Sequence, residues 1–235
     1  MDGGIGEGVE RALGLVLGDD GRLWPIVALS LQVSGLATVL SAAIALPLAA
    51  WLALTPFAGR GAVVAALNAL MGLPAVVAGL LVYLLLSRAG PLGSLGLLFT
   101  PGAMVVAQTL LVLPLVAALA RQTLEDALGE CGPYLRSLGA TRLQTIGTLL
   151  HEARFSLLTA VLAGFGRAAA EVGAVMIVGG NIDGVTRTMT TAIALETSKG
   201  DLPLALGLGL VLLAVVLAIN AAAFALRQYA IRRHG

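Results

Sequence analysis

Five long apolar stretches limit what this chain can fold into, and they cover about residues 25–54, 61–87, 103–120, 155–178 and 202–226. A helix needs about 20 mostly apolar residues to cross the hydrocarbon of a bilayer. Charged residues make up 11% of the chain, whereas a water-soluble domain typically carries about 25%. The sequence therefore predicts an all-α fold in which one domain, residues 1–235, forms a polytopic membrane bundle of about five transmembrane helices.

The distribution of basic residues predicts how the bundle is oriented in the cell membrane. The largest polar segment, about residues 121–154, connects the third and fourth stretches. If this segment is cytoplasmic, most of the arginines lie on the same side, so the positive-inside rule predicts an outer N-terminus and a cytoplasmic C-terminus. Residues 8–18 are too short to cross, and they predict a helix that lies along the membrane interface.

The polar segment itself predicts two short amphipathic helices joined at a glycine. Pro133 is expected to open the first helix and Gly139 to end it. The second helix falls in "ATRLQTIGTLLHEAR" (140–154), with one apolar face formed by Leu143, Ile146 and Leu150. The pattern fits either a compact knob exposed to the cytoplasm or a solvated loop with residual helicity.

Two parts of this segment, "RSLGATRLQT" (136–145) and "LLHEARFSLL" (149–158), resemble the coupling loop of permease subunits of bacterial ABC importers. In that family a glycine-centred helix docks into a groove of the ATPase subunit. The usual Glu-Ala-Ala ahead of the glycine is Pro-Tyr-Leu here, and the usual Leu-Pro falls at His151 and Glu152. The resemblance implies ATPase docking through Arg136, Ser137, Leu138, Gly139, Ala140 and Thr141.

Four further stretches resemble the tungstate-specific branch of the tungstate and molybdate importer permeases. They are "MGLPAVVAGLLVYLLLSRAGPLG" (71–93), "FTPGAMVVAQTLLVLPLVAAL" (99–119), "AGFGRAAAEVGAVMIVGGNI" (163–182) and "TRTMTTAIALETSKGD" (186–201). The resemblance implies a permease like those of type I ABC importers, working as a homodimer with two ATPase copies and an extracytoplasmic tungstate-binding protein.

The sequence carries no constellation for catalysis or for a metal. A P-loop ends in Gly-Lys-Ser/Thr, whereas the single lysine, Lys199, precedes Gly200. Cys131 is the only cysteine, and His151 and His234 lack metal-ligand spacing. We therefore expect a transport subunit with no cofactor of its own, because ATP and Mg²⁺ bind to the partner ATPase. Lipid is an expected partner and nucleic acid is not, because basic and acidic residues nearly balance.

Two charged residues, Arg167 and Glu171, interrupt the fourth apolar stretch. At a spacing of four residues they share a helix face and can form an intramembrane ion pair. A charge at the centre of a membrane helix costs at least about 2.5 kcal/mol, so both side chains should face the bundle interior. Three roles stay open: the pair locks the span to its neighbours, Arg167 adds positive potential to an oxyanion route, or the pair relays motion from the adjacent coupling loop.

The connection after the fourth stretch is rich in glycine and threonine. Gly179 and Gly180 are predicted to end the span, and "TMTTAIALET" (188–197) to dip back as a short helix that lines a cavity. Hydroxyls and free amides at a helix start suit an oxyanion that must bind weakly and leave. The candidate path residues are Asn181, Thr186, Arg187, Thr188, Thr190 and Thr191. The alternative is a surface loop whose threonines only cap helices.

The favoured reading is the membrane permease of an ATP-driven tungstate importer. Within the same class, molybdate remains an alternative substrate, followed by sulfate and phosphate. From other classes, the alternatives are a secondary transporter and a structural membrane protein, neither of which needs an ATPase.

Overall fold

The computed structural model describes residue 14 and residues 23–234, and within these ranges the regular elements are helical and no strand occurs. In chain order the helices are α1 (Leu23–Leu54), α2 (Arg60–Met71), α3 (Ala75–Leu86), a 3₁₀ turn (Gly93–Leu95), α4 (Pro101–Ser137), α5 (Arg142–Glu152), α6 (Arg154–Ala169), α7 (Gly173–Gly179), α8 (Met189–Lys199) and α9 (Leu202–His234). The predicted all-α fold is confirmed. The predicted interfacial helix at 8–18 lies outside the described residues except for Gly14.

Among the described residues, three helical segments are long and apolar enough to cross a membrane, namely Leu23–Leu54, Pro101–Ser137 and Leu202–Ala222. Two broken pairs, α2 with α3 and α5 with α6, raise the number of candidate spans to five if each pair counts as one. The first and last predicted spans therefore match continuous helices. These lengths are those of a multi-pass membrane protein.

The second and fourth predicted spans are each interrupted, which corrects the expectation of continuous helices. In the second, residues 72–74 separate α2 from α3. Pro74 has no amide to donate and disfavours a helical conformation of the residue before it, so the helix stops ahead of it. In the fourth, residues 170–172 separate α6 from α7.

The helix that contains the third predicted span is longer than the apolar stretch, because α4 runs from Pro101 to Ser137 without a break. Hydropathy falls after residue 120, but the helix continues through polar residues that pair along it. Arg121 forms an ion pair with Glu125 four residues on, and such pairs stabilise a helix. Pro133 therefore lies inside α4 and does not open a new helix.

The chain divides into two compact units, each built from separate stretches of sequence. Of the described residues, the first unit holds 23–35, 75–108 and 169–234, and the second holds 36–74 and 109–168. In the first unit α3 packs against α7 and α8 packs against α9. In the second, one apolar cluster surrounds Val112 and Val116 and another surrounds Leu124 and Leu149.

A glycine sets the close approach of α3 and α7 in the first unit. A Cβ atom at Gly79 would lie 2.7 Å from the Cα of Ala174 and 3.2 Å from its carbonyl oxygen. Both are backbone atoms, which cannot move aside as the end of a flexible side chain can. The contact is therefore open only to glycine, as in other closely packed membrane helices.

We expect Gly79→Ala to destabilise the protein by about 1–3 kcal/mol, because the added methyl overpacks a backbone contact. Gly209→Ala is the matched control, since no heavy atom lies within 4 Å of the Cβ position in α9. The measurement is the thermal unfolding midpoint of each purified variant in detergent. Equal midpoints would contradict the close approach of α3 and α7.

Candidate functional site

The segment after α7 is a tight turn held by one threonine. Gly180 ends the helix with a left-handed φ of 72°, which glycine adopts without a steric penalty. The buried Thr186 hydroxyl donates to the Gly179 carbonyl at 2.6 Å and accepts from the Ile182 amide at 2.9 Å. Thr186 therefore pairs the carbonyl at the helix end and fixes the turn that follows it.

Three buried threonines cluster at the start of α8. The Thr191 hydroxyl accepts from the Thr188 amide at 3.0 Å and donates to the Thr188 carbonyl at 3.2 Å. The Thr188 hydroxyl lies 3.2 Å from that of Thr190 and 3.1 Å from that of Thr191. The first-turn amides of a helix have no helical partner, so a hydroxyl that accepts from one stabilises the helix start.

Two further hydrogen bonds tie the start of α8 to distant parts of the first unit. The Met189 amide donates to the Ser30 hydroxyl of α1 at 2.8 Å, and the Thr190 hydroxyl donates to the Glu171 carbonyl at 2.8 Å. Ser30 is not among the predicted path residues. In the sequence it appears only as one of four hydroxyl residues spaced along one face of α1, Ser30, Ser34, Thr38 and Ser41. The structure shows that all four are buried.

The remaining predicted path residues lie beside this cluster. The Asn181 side-chain amide donates to the Thr191 carbonyl at 3.4 Å, and Asn181 has a left-handed φ of 51°. Arg187 forms an ion pair with Asp183 at 2.9 Å. Because Asp183 balances Arg187, the segment 180–191 carries no net formal charge, and what it offers an anion is hydroxyl and amide groups.

The structure thus brings the predicted path residues into one hydrogen-bonded segment of the first unit. It also shows their hydroxyls at helix ends and turns, which is the capping role that the sequence left open as the alternative. A direct contact with a transported anion stays a prediction.

The two charges of the fourth apolar stretch stand on either side of a helix break. Arg167 lies in the last turn of α6, which ends at Ala169, whereas Glu171 lies in the connection to α7. The Glu171 side chain is buried, and its carboxylate accepts from the Ala174 amide at 3.1 Å. The predicted placement of both residues on one continuous helix is therefore wrong. The ion pair itself stays a prediction.

The glycine-centred segment of the second unit is a sharp turn between α4 and α5. Gly139 has a left-handed φ of 69°. Thr141 and Gln144 form a capping box at the start of α5, in which the Gln144 side chain accepts from the Thr141 amide at 2.8 Å. The predicted docking residues lie at the end of α4, in this turn and at the cap of α5: Arg136, Ser137, Leu138, Gly139, Ala140 and Thr141. The predicted turn at Gly139 and the helix after it are present, whereas the first predicted short helix is the end of α4, and docking stays a prediction.

We call the last turn of α4, the turn that follows it and α5 the knob. Its exposed surface includes three large apolar side chains among polar ones, since Tyr134, Leu138 and Leu143 are 66%, 64% and 82% exposed. These three residues form the knob patch. On the other side of α5, Leu149 is fully buried and packs with Leu124. An exposed apolar patch flanked by polar residues is typical of a protein interaction surface.

The chain is similar to permease proteins of anion uptake systems. It is 42% identical to the tungstate uptake system permease protein of Peptoclostridium acidaminophilum, over 95% of this chain and 98% of that protein. It is 41% identical to a "probable anion ABC transporter permease protein" of Haloferax volcanii, over 89% of this chain and 93% of that protein. The molybdenum transport system permease protein of Azotobacter vinelandii is 33% identical over 71% of this chain and 77% of its own. No model of a protein family matches the chain.

We expect Ser30→Ala to destabilise the protein by about 1–3 kcal/mol, because it leaves the buried Met189 amide without an acceptor. Ser30→Thr keeps a hydroxyl and should retain more of the stability. Ser198→Ala is the matched control, since Ser198 is an exposed serine of α8 whose hydroxyl donates only to Leu195 in its own helix. Thermal unfolding in detergent measures all three variants. A Ser30→Ala midpoint equal to that of Ser198→Ala would show that the tie to α1 is not needed.

Proposed function

Since the chain belongs to the permease proteins of ABC-type anion uptake systems, we propose that it forms the membrane path of an ATP-driven tungstate importer. The observation that carries this proposal is the 42% identity with a tungstate permease over 95% of the chain, against 33% over 71% with a molybdenum permease. As a permease, the chain is a transport component and not an enzyme.

The proposed assembly contains two copies of this chain, two copies of a separate ATPase and an extracytoplasmic tungstate-binding protein. The sequence supports a separate ATPase, because it lacks the Gly-Lys-Ser/Thr ending of a P-loop. ATP and Mg²⁺ therefore bind to the partner, and this chain needs no cofactor. The distribution of arginines supports a cytoplasmic knob and C-terminus and an outer N-terminus.

The hydroxyl cluster at the start of α8 supports a role in the anion path. Hydroxyl groups are uncharged donors, so they can replace part of the hydration shell of a divalent oxyanion and still release it. In the described conformation the Thr190 hydroxyl donates to the Glu171 carbonyl. Passage of the anion then requires Thr190 to exchange this carbonyl for an oxygen of the anion. Such an exchange suits a site that binds only in transit.

The knob patch supports ATPase docking. Tyr134, Leu138 and Leu143 are exposed on one short segment, whereas Leu149 anchors α5 in the apolar core of the second unit. A partner that covers the patch removes apolar surface from water, which favours binding. Arg136 and Arg142 flank the patch and can fix the orientation of an acidic partner.

Vesicle uptake tests the proposal directly. We expect vesicles that contain the permease, the ATPase and the binding protein to accumulate tungstate only when ATP is supplied, as measured by elemental analysis. Molybdate should compete more strongly than sulfate. Equal inhibition by both would indicate a broader oxyanion permease. Accumulation without the ATPase, driven by an ion gradient, would indicate a secondary transporter.

We expect Thr190→Val combined with Thr191→Val to lower tungstate uptake by at least about tenfold, since a lost hydrogen bond to a charged group costs about 1.5–3 kcal/mol. Binding of the ATPase should persist, because the knob lies in the other compact unit. Thr159→Val is the control, as its exposed hydroxyl donates to the Phe155 carbonyl within α6. Normal uptake by the folded double variant would remove this segment from the path.

We expect Gly139→Val to weaken binding of the ATPase severalfold, because a β-branched residue at a φ of 69° strains the turn that presents the knob patch. Gly139→Asn should bind more nearly as the parent does, since asparagine tolerates left-handed backbone. Co-purification of the tagged permease with its ATPase measures the effect. Equal binding by the valine variant would argue against docking at this turn.

A further inference from the structure

The turn between α1 and α2, residues 55–59, is firmly attached to α1. Phe57 stacks on Trp51 of α1 with ring centroids 4.7 Å apart, and it packs against the cluster that contains Leu52 and Val116. Arg60, the first residue of α2, donates through Nε to the Leu52 carbonyl at 2.8 Å. The turn therefore cannot move without moving the end of α1 or the start of α2.

Glu125 of α4 joins two arginines in the same region. One carboxylate oxygen accepts from Arg121, which lies one turn earlier on α4, and the other accepts from Arg60. Through its Nε and Nη2 atoms Arg60 thus connects the start of α2 to both α1 and α4. Hydrogen bonds between a guanidinium and a carboxylate are charge-assisted and stronger than those between neutral groups.

The knob reaches the other end of the same turn. Arg142, the first residue of α5, donates through Nη2 to the Thr55 hydroxyl. On its buried side, α5 packs through Leu149 against Leu124, which is adjacent to Glu125. The turn is therefore held by the knob at Thr55 and by the Glu125 network at Arg60, five residues apart.

We propose that Thr55 and Arg60 are positioning residues that transmit movement of the knob to α2. A displacement of α5 pulls on Thr55 through Arg142, the stacked Phe57 stiffens the turn, and Arg60 passes the movement to the start of α2. Neither residue contacts the anion; both act on transport through α2, the first half of the broken second span. The inference rests on the proposed function, since the knob moves only if an ATPase docks on it.

The charges of the network indicate which substitutions remove the connection between helices without leaving a charge unpaired. The three charges sum to one positive charge, so removal of Arg60 leaves a neutral Arg121–Glu125 pair on α4, whereas removal of Glu125 leaves two arginines without their carboxylate. Breaking a pair so that a buried charge loses its partner is the costly change. Arg60→Gln therefore cuts the connection between helices and leaves no unpaired charge in the network, and Thr55→Val cuts it with no change in charge.

The experiment compares Thr55→Val, Arg60→Gln and the double variant in the reconstituted complex with its ATPase and binding protein. We expect each single variant to retain the ATPase and its basal hydrolysis and to carry at least about threefold less tungstate per ATP hydrolysed. The double variant should be no worse than the more severe single variant, because both changes interrupt one connection in series. Independent structural effects would instead multiply.

Arg88→Gln is the matched control, since Arg88 is an exposed arginine of the first unit and should leave tungstate per ATP unchanged. An unchanged ratio in both single variants overturns the proposal, as does a multiplicative loss in the double variant or loss of ATPase binding together with transport. If Arg60→Gln does not fold, the ratio measured for Thr55→Val decides alone. If the proposed function is wrong, the unsubstituted complex shows no ATP-driven tungstate accumulation. That result also overturns the roles proposed for Thr55 and Arg60.

Discussion

Every helix break in an apolar chain must pair its own backbone polar groups, because lipid offers no hydrogen bonds. Here the pairing comes from side chains that lie outside the helix they serve. Thr186 pairs the carbonyl at the end of α7, Glu171 pairs an amide at its start, and Ser30 pairs the first amide of α8. Arg60 does the same for a carbonyl near the end of α1. Each break therefore depends on a side chain from outside the helix, and in the first unit the side chains that pair the breaks are the ones that position the candidate site.

Much of the fold follows from local physics that the sequence displays. The first and last spans are predicted by length and hydropathy alone, since nothing in them interrupts the helix for 20 or more residues. The breaks at 72–74 and 170–172 are harder to predict, because a window long enough to detect a span averages over three residues. The full length of α4 is not predicted, because polar residues end the apolar stretch without ending the helix. The helix ends only near Gly139, where the backbone conformation changes.

The candidate site was predictable in composition but not in its contacts. Threonines and glycines stand out in an apolar chain, so the segment around Thr188 is visible in the sequence. Its tie to Ser30 spans 159 positions, and no local pattern reports such a contact. In the knob, Leu143 and Leu150 of the predicted apolar face are exposed and Ile146 is half-buried, whereas the fully buried residue of α5 is Leu149, which is not part of that face. One residue turns a helix by about 100°, so the neighbours Leu149 and Leu150 lie on clearly different faces, and the sequence pattern alone does not say which face is buried.

The knob patch also bears on how the protein is produced. Detergent and lipid cover the apolar surface of membrane spans, but Leu143 sits on a polar connection and exposes most of its side chain. If an ATPase docks on the knob patch as proposed, a chain made in excess of that partner leaves the patch uncovered in water, where it promotes self-association and recognition by quality-control proteases. Balanced synthesis of the subunits is then a requirement for yield, in the cell as in an expression host.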